Sequence, residues 1–227
     1  HSVTLMNYVR QMNREYFAIA ITRTCGSGGG SYIGRKVAAD YGIDFYDRKL
    51  LRLASEDSGI NETIFAQADE DTRKRLLYRV SRSVYDGTDI PPESGNFLSD
   101  RALFAHQAKV LRKLLEQESY VCVGRAADFV LRDKPRVLSV FLDAPYEDRI
   151  RREMDRQGIS RTEARRYIDR LDQYRNGYYS YHTGRRWKDL SNYDLCLDTA
   201  ALGLDNCAAL IEEYLYLRYG VPKPAGA

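Results

Sequence analysis

Short apolar runs alternate with longer stretches in which apolar positions recur every three or four residues. Phe17-Ala18-Ile19-Ala20-Ile21, Tyr120-Val121-Cys122-Val123, Arg136-Val137-Leu138-Ser139-Val140-Phe141-Leu142 and Tyr193-Asp194-Leu195-Cys196-Leu197-Asp198 are the runs, with Ile43-Asp44-Phe45-Tyr46-Asp47 as a shorter fifth. Continuous runs of this length between helical segments predict strands buried on both faces, and so a small doubly wound parallel sheet in an α/β fold. Residues 31–41 carry Ile33, Val37, Ala38 and Tyr41 at helical spacing, with Gly42 as a stop. After Arg48-Lys49-Leu50-Leu51 the chain is polar and helical to about residue 84. Residues 87–95, with Pro91-Pro92, read as a loop or mobile flap. An amphipathic helix is predicted over 99–118, and a last helix over 204–219. Residues 146–156 and 160–179 predict a helical hairpin, the second helix opened by the capping box Ser160-Arg161-Thr162-Glu163.

The first run enters Gly26-Ser27-Gly28-Gly29-Gly30-Ser31 and leaves into a helix. Glycines let backbone N–H groups approach an anion, and the opening helical turn adds unpaired donors. Strand, glycine loop and helix start therefore predict a phosphate cradle, against the alternative of a flexible surface loop. The full pattern G-x-x-x-x-G-K-[ST] is absent: Ser31, Tyr32 and Ile33 stand where its last three residues would be. A basic side chain from elsewhere must supply the missing charge. Ligands of doubly wound sheets bind beyond the carboxyl ends of the strands, where Gly26, Gly124 and Asp143 fall.

With 35 Lys and Arg against 32 Asp and Glu in 227 residues, the net charge of +3 is not that of a protein built to coat nucleic acid. No run approaches the ~18 apolar residues of a membrane span. Cys25, Cys122, Cys196 and Cys207 are scattered without C-x-x-C spacing, which predicts reduced thiols and a cytoplasmic protein. Residues 1–15 form an N-terminal extension, with His1-Ser2 set aside as an expression remnant. The helix over 99–118 packs internally or pairs with a second copy of the chain; the pattern serves both.

The charged hairpin holds Arg149, Arg151, Arg152, Arg156, Arg161, Arg165, Arg166, Arg170 and Arg175 among acidic residues. One reading is a solvated face laced with weak ion pairs. The other is a closing lid whose forked guanidinium donors meet charge spreading over a transferring phosphoryl group. Tyr174, Tyr178, Tyr179 and Tyr181 cluster ahead of His182 and read as packing, together with Trp187. His106 and His182 lack the spacing of a metal pair.

Taken in order, these motifs resemble the nucleoside monophosphate kinases, in particular the cytidylate kinase-like branch of the P-loop NTPase fold, over roughly residues 16–219. The Gly-Ser-Gly-Gly loop, Gly42-Ile43-Asp44-Phe45-Tyr46-Asp47 with Leu50, Gly124-Arg125, Asp169-x-x-Asp172-x-x-Arg175, and the final strand ending in Asp198-Thr199 carry the likeness. The resemblance implies one kinase-like domain over 16–227, with an acceptor-binding insertion at 48–98 and a lid region at 146–190. It implies transfer of the γ-phosphoryl group of ATP, with Mg²⁺, to a nucleoside monophosphate, a CMP-like acceptor being favoured. By correspondence Gly26, Ser27, Gly28, Gly29, Gly30 and Ser31 cradle the donor and Ser31 helps hold the metal. Arg48, Arg125 and Asp128 bind the acceptor, and Arg152, Arg161, Arg170 and Arg175 clamp the transferring group.

Two departures keep alternatives open. The branch has an arginine where this chain has Gly30, leaving Arg23, Arg35 or Lys36 to compensate. It also has an acid directly after Gly-Arg, here Ala126, with Asp128 the nearest carboxylate. The other readings are a nucleotide-binding module without catalysis and a kinase for a different small acceptor.

Overall fold

The computed structural model describes residues 16–49, 51, 72–85 and 100–225. The first apolar run forms β1 (Ala18–Arg23), the middle strand of a five-stranded parallel sheet. β2 (Asp44–Tyr46), β3 (Tyr120–Val123), β4 (Val137–Asp143) and β5 (Leu195–Asp198) complete it in the order β2-β3-β1-β4-β5. On one side β1 pairs with β3 from Ala18 opposite Tyr120 to Ile21 opposite Val123. On the other it follows β4 to Arg23 opposite Leu142. Arg23 therefore lies past the end of β3, at the carboxyl edge of the sheet.

One turn of π-helix, Gly29–Ile33, leads into α1 (Gly34–Tyr41). The remaining described helices are α2 (Thr72–Ser83), α3 (Arg101–Leu115), α4 (Ala127–Val130), α5 (Tyr146–Gln157), α6 (Arg161–Thr183), α7 (Thr199–Leu202) and α8 (Leu204–Tyr219). Alternation along the strands assigns their residues to two faces. Ile19, Ile21, Val121, Leu138 and Val140 pack with Val37 of α1 and Ile211 and Leu215 of α8. Ala18, Ala20, Tyr46, Tyr120 and Cys122 pack with Leu77 of α2 and with Leu111 and Leu114 of α3.

The predicted parallel α/β sheet is the observed one, and α8 has the predicted ends. α6 runs on to Thr183, beyond the predicted end near 179, until Gly184 closes it in the left-handed conformation (φ 70°). Gly177 does not stop it, because Tyr178 and Tyr179 on the following turn are buried and their packing outweighs the local cost of a glycine. The capping box is formed: Glu163 N–H donates to Ser160 Oγ and Ser160 N–H to Glu163 Oε2. Asp194 lies outside β5, since its carboxylate accepts from both N–H and Oγ of Ser139 at 3.0 Å.

The flap over 87–95, the extension over 1–15 and most of the insertion over 48–98 fall outside the described residues. Among those described, no helix is long and apolar enough to cross a membrane. Cys25, Cys122 and Cys207 are buried thiols, Cys196 is exposed, and none is in a disulfide.

Ile21 is 1% exposed on the central strand. Ile21→Ala is expected to cost roughly 2–4 kcal/mol in urea unfolding. Leu217→Ala, at a side chain 72% exposed, is expected to stay within about 0.5 kcal/mol of the parent.

Candidate active site

The glycine loop leaves β1 through Thr24 and Cys25 and is packed on several sides. Gly26 and Gly28 have φ values of 77° and 73°, which side chains rarely adopt. A Cβ on Gly26 would lie 2.7 Å from the Arg149 carbonyl of α5, and one on Gly29 would lie 2.4 Å from Leu142 Cδ1 of β4. A loop gripped this closely by helix and strand is not the flexible surface loop of the alternative reading.

Polar ties fasten the helical hairpin to it. Asp172 Oδ1 accepts from the Cys25 N–H at 2.7 Å, and its Oδ2 accepts from Arg149 Nη1 at 2.7 Å. Arg149 also donates to the Cys25 carbonyl at 3.2 Å. Arg152 Nη1 donates to the Ser27 carbonyl at 2.6 Å and to Thr199 Oγ1 at 2.8 Å, so α5, the loop and α7 meet at one guanidinium. Arg175 Nη1 donates to the Arg23 carbonyl at 3.2 Å, and Asp169 accepts from the Tyr146 hydroxyl at 2.8 Å. The three residues of Asp169-x-x-Asp172-x-x-Arg175 thus fall a turn apart on one face of α6, each making a tie to a neighbouring segment.

Beside the loop, at the carboxyl ends of β1 and β3, lies a pocket open to solvent on one side. Arg23, Arg48, Arg125 and Arg175 contribute to its wall together with Tyr174, Tyr178, Tyr179 and Trp187, and among the described residues no carboxylate lines it. Arg125 lies with its guanidinium 4.2 Å from the Tyr178 ring, and Arg48 with its own 5.0 Å from the Tyr174 ring. Gly124, Arg125 and Ala126 all have positive φ (81°, 56° and 52°). Two non-glycine residues in that region cost roughly 1–2 kcal/mol each, a strain concentrated where Arg125 turns toward the pocket.

Electrostatics reflect this crowding. Burial, and then the charges of Arg175 and Arg125, push the Arg23 guanidinium down to about 9. Arg175 is also lowered, chiefly by burial. Behind the pocket Asp128 is buried and accepts the Tyr179 hydroxyl at 2.7 Å; burial raises its carboxyl to about 6. His182, stacked 4.2 Å from Phe104, is lowered to about 4 by burial and the nearby Arg125. Cys25 is held protonated, at about 11, by burial.

The structure brings Arg48, Arg125 and Arg175 into one pocket next to Gly26, Ser27, Gly28, Gly29, Gly30 and Ser31. Asp128 lies one layer back and meets the pocket through Tyr179. Arg152 reaches the loop carbonyl rather than the pocket. Arg161 is on the outside of the hairpin, its side chain 55% exposed and paired with Glu147 at 2.7 Å. Arg170 is exposed beside the Tyr167 ring. Of the three basic residues left open to compensate for Gly30, Arg35 pairs with Asp47 at 3.7 Å and Lys36 with Asp40 at 2.8 Å, while Arg23 reaches the pocket. Asp172 and Thr199 entered the sequence reading only as parts of the likeness and Arg149 only as one arginine of the charged hairpin; none was given a role in the site. No local pattern separates Arg149 from its neighbours Arg151 and Arg152.

No three His, Cys, Asp or Glu side chains converge as a metal site among the described residues. Ser31 stands exposed on the first helical turn. This donor set suits a Mg²⁺ carried in on nucleotide phosphates and held by one hydroxyl, which is how that hard and well-hydrated ion is commonly bound.

The model of the cytidylate kinase-like family matches residues 18–201. A cytidylate kinase of Methanopyrus kandleri is 27% identical over 200 residues, covering 86% of this chain and 93% of its own. The crystal structure of an uncharacterized protein from Eubacterium ventriosum superposes with a TM-score of 0.68 at 24% identity, covering 89% of this chain and 99% of the other, and shares the fold.

Asp128 sets a pH signature. A carboxyl raised in the folded state contributes stability that is complete below the unfolded value near 3.8 and is lost as pH rises through about 6. The depressed His182 works in the opposite direction, so the difference between variant and parent isolates the carboxyl. Asp128→Asn is expected to gain stability relative to the parent between pH 4 and 7, by about 3 kcal/mol at most. Denaturant melts across that range check it.

Proposed function

The chain belongs to the cytidylate kinase-like family, and from that premise we propose that it transfers the γ-phosphoryl group of ATP to a nucleoside monophosphate, with a CMP-like acceptor first. One observation carries the reading: four guanidinium side chains converge on a pocket that shares its β1 edge with the glycine loop. An acceptor phosphate dianion answers that charge.

In this reading residues 26–31 hold the donor phosphates through main-chain donors. Arg48 and Arg125 bind the acceptor phosphate, and the aromatic wall accommodates its base. Tyr179, fixed by Asp128, orients that wall. Ser31 is the residue that would hold a Mg²⁺ brought in with ATP, and that ion would supply neutralisation of the donor phosphates' charge. An oxygen of the acceptor phosphate attacks the γ-phosphorus in line. The bond from phosphorus to the β,γ-bridging oxygen breaks, and its electron pair leaves on ADP. An unprotonated acceptor oxygen needs no general base, so positioning and charge neutralisation supply the rate. Arg175 faces the transferring oxygens, and Arg161 and Arg170 join only when the hairpin closes. Arg152, held on Ser27 and Thr199, positions the loop.

A second reading, a kinase for a different small anionic acceptor, is favoured by Ala126, which offers no carboxylate beside Arg125 for a base amino group.

With ATP, Mg²⁺ and a panel of nucleoside monophosphates, ADP release is expected to be highest with CMP or dCMP. Background release with every nucleotide would reject the proposal, and release only with another phosphorylated acceptor would favour the second reading. Arg125→Ala is expected to raise the acceptor KM. Arg175→Ala is expected to lower kcat about 10²–10³-fold, as loss of one preorganised donor does elsewhere, with thermal stability little changed.

A further inference from the structure

The place left without its basic residue by Gly30 is occupied from the opposite side. A Cβ on Gly30 would lie 2.8 Å from Arg23 Nε, 3.0 Å from its Cδ and 3.2 Å from its Cγ, so the Arg23 side chain runs directly across the glycine. Its far end is near Gly124, where a Cβ would lie 3.2 Å from Arg23 Nη1. Arg23 thus spans from the glycine loop to the Gly-Arg turn of the pocket, starting at the last residue of β1. Gly30 itself has no positive φ. A side chain is excluded there by Arg23 and not by the backbone.

Arg23 also has no carboxylate partner among the described residues. Its charged neighbours are Arg175 and Arg125, both of the same sign, and it is largely removed from water. A guanidinium held in this way raises the energy of the empty protein, and an anion bound between loop and pocket relieves it.

We propose that Arg23 is a catalytic residue that bridges donor and acceptor, contacting the transferring phosphoryl group in place of a basic residue on the loop, and that Gly30 is kept free of a side chain to let it through. This rests on the phosphotransfer reading above. As the bond from the acceptor oxygen to the γ-phosphorus forms and the bond to the ADP oxygen breaks, the fork of Arg23 faces the oxygens that carry the shifting charge.

The test pairs Arg23→Met with a reciprocal rescue. Arg23→Met is expected to lower kcat at least about 10²-fold, to raise the melting temperature of the ligand-free protein, and to abolish the upward melting shift given by inorganic pyrophosphate. In an Arg23→Ala background, which removes the Cγ, Cδ and Nε that a Cβ at Gly30 would meet, Gly30→Lys is expected to restore at least about tenfold of the lost turnover, whereas Gly30→Lys alone impairs the protein because its Cβ meets Arg23. Arg35→Ala and Lys36→Ala are expected to leave turnover within about twofold. Turnover by Arg23→Met within threefold of the parent would overturn the proposal. So would a lowered melting temperature with no change in kcat per folded molecule, which marks a structural role. If the parent turns over no nucleotide but its pyrophosphate shift depends on Arg23, the anion role stands and the kinase reading falls. If the shift survives in Arg23→Met, the anion role falls whatever the parent's activity.

Discussion

Positive charge held against itself is the constraint on which the rest of the structure turns. Arg23, Arg125 and Arg175 lie close enough for each of the last two to depress the ionisation of the first, and burial depresses it further. Even lowered to about 9, Arg23 remains charged at neutral pH, so the repulsion persists in the empty protein. Flexible side chains would splay apart into water. Here the positions are imposed by elements that cannot yield cheaply: Arg23 ends a strand paired on both sides, Arg125 sits in a turn of three consecutive positive-φ residues, and Arg175 rides on a 23-residue helix. Under the proposed function, stability in the ligand-free state is exchanged for readiness to receive an anion, the relation expected when strain and like charge collect at one site.

The carboxylates are placed with the same economy. Asp172 accepts from the Cys25 amide and from Arg149, at the shoulder of the loop, and Asp128 answers the Tyr179 hydroxyl behind the wall. Neither lines the pocket. Each steadies a group beside the cluster, Asp172 also favours the charged form of Arg175, and Asp128, raised by burial, carries less negative charge near neutrality than an exposed aspartate would.

Much of this fold was legible because parallel strands buried on both faces must read as short apolar runs, and Ile19, Val121 and Leu138 are apolar for that reason. The glycine loop was legible because positive φ at Gly26 and Gly28 and close packing at Gly29 each demand a missing side chain. Long-range reach was not. Arg149, Arg152, Arg161 and Arg170 lie in one charged hairpin with similar local surroundings, yet the first two bond the loop and the last two lie on the outer surface. Which way an arginine faces depends on the angle at which α5 and α6 pack over the sheet, and that angle has no local signature. The last turn of α6, from about residue 179 to Thr183, was hidden for a related reason: burial of Tyr178 and Tyr179 is a tertiary term with no local signature.

The ties of α6 join the hairpin and the charge cluster into one mechanical unit. Asp172 holds the amide of Cys25 and, one turn on, Arg175 holds the carbonyl of Arg23, so two points on the chain entering the loop are fastened to a single rigid helix. In the proposed phosphotransfer, a rotation of that helix about its pocket end would carry Arg161 and Arg170 inward only by pulling on the segment that aims Arg23. Closing the hairpin and repositioning the central guanidinium would then not be separate events. Under that proposal, anion binding would remove the repulsion that opposes bringing further arginines near, and the approach of those arginines would in turn hold the anion. The coupling is reciprocal, as any linkage between two binding events must be.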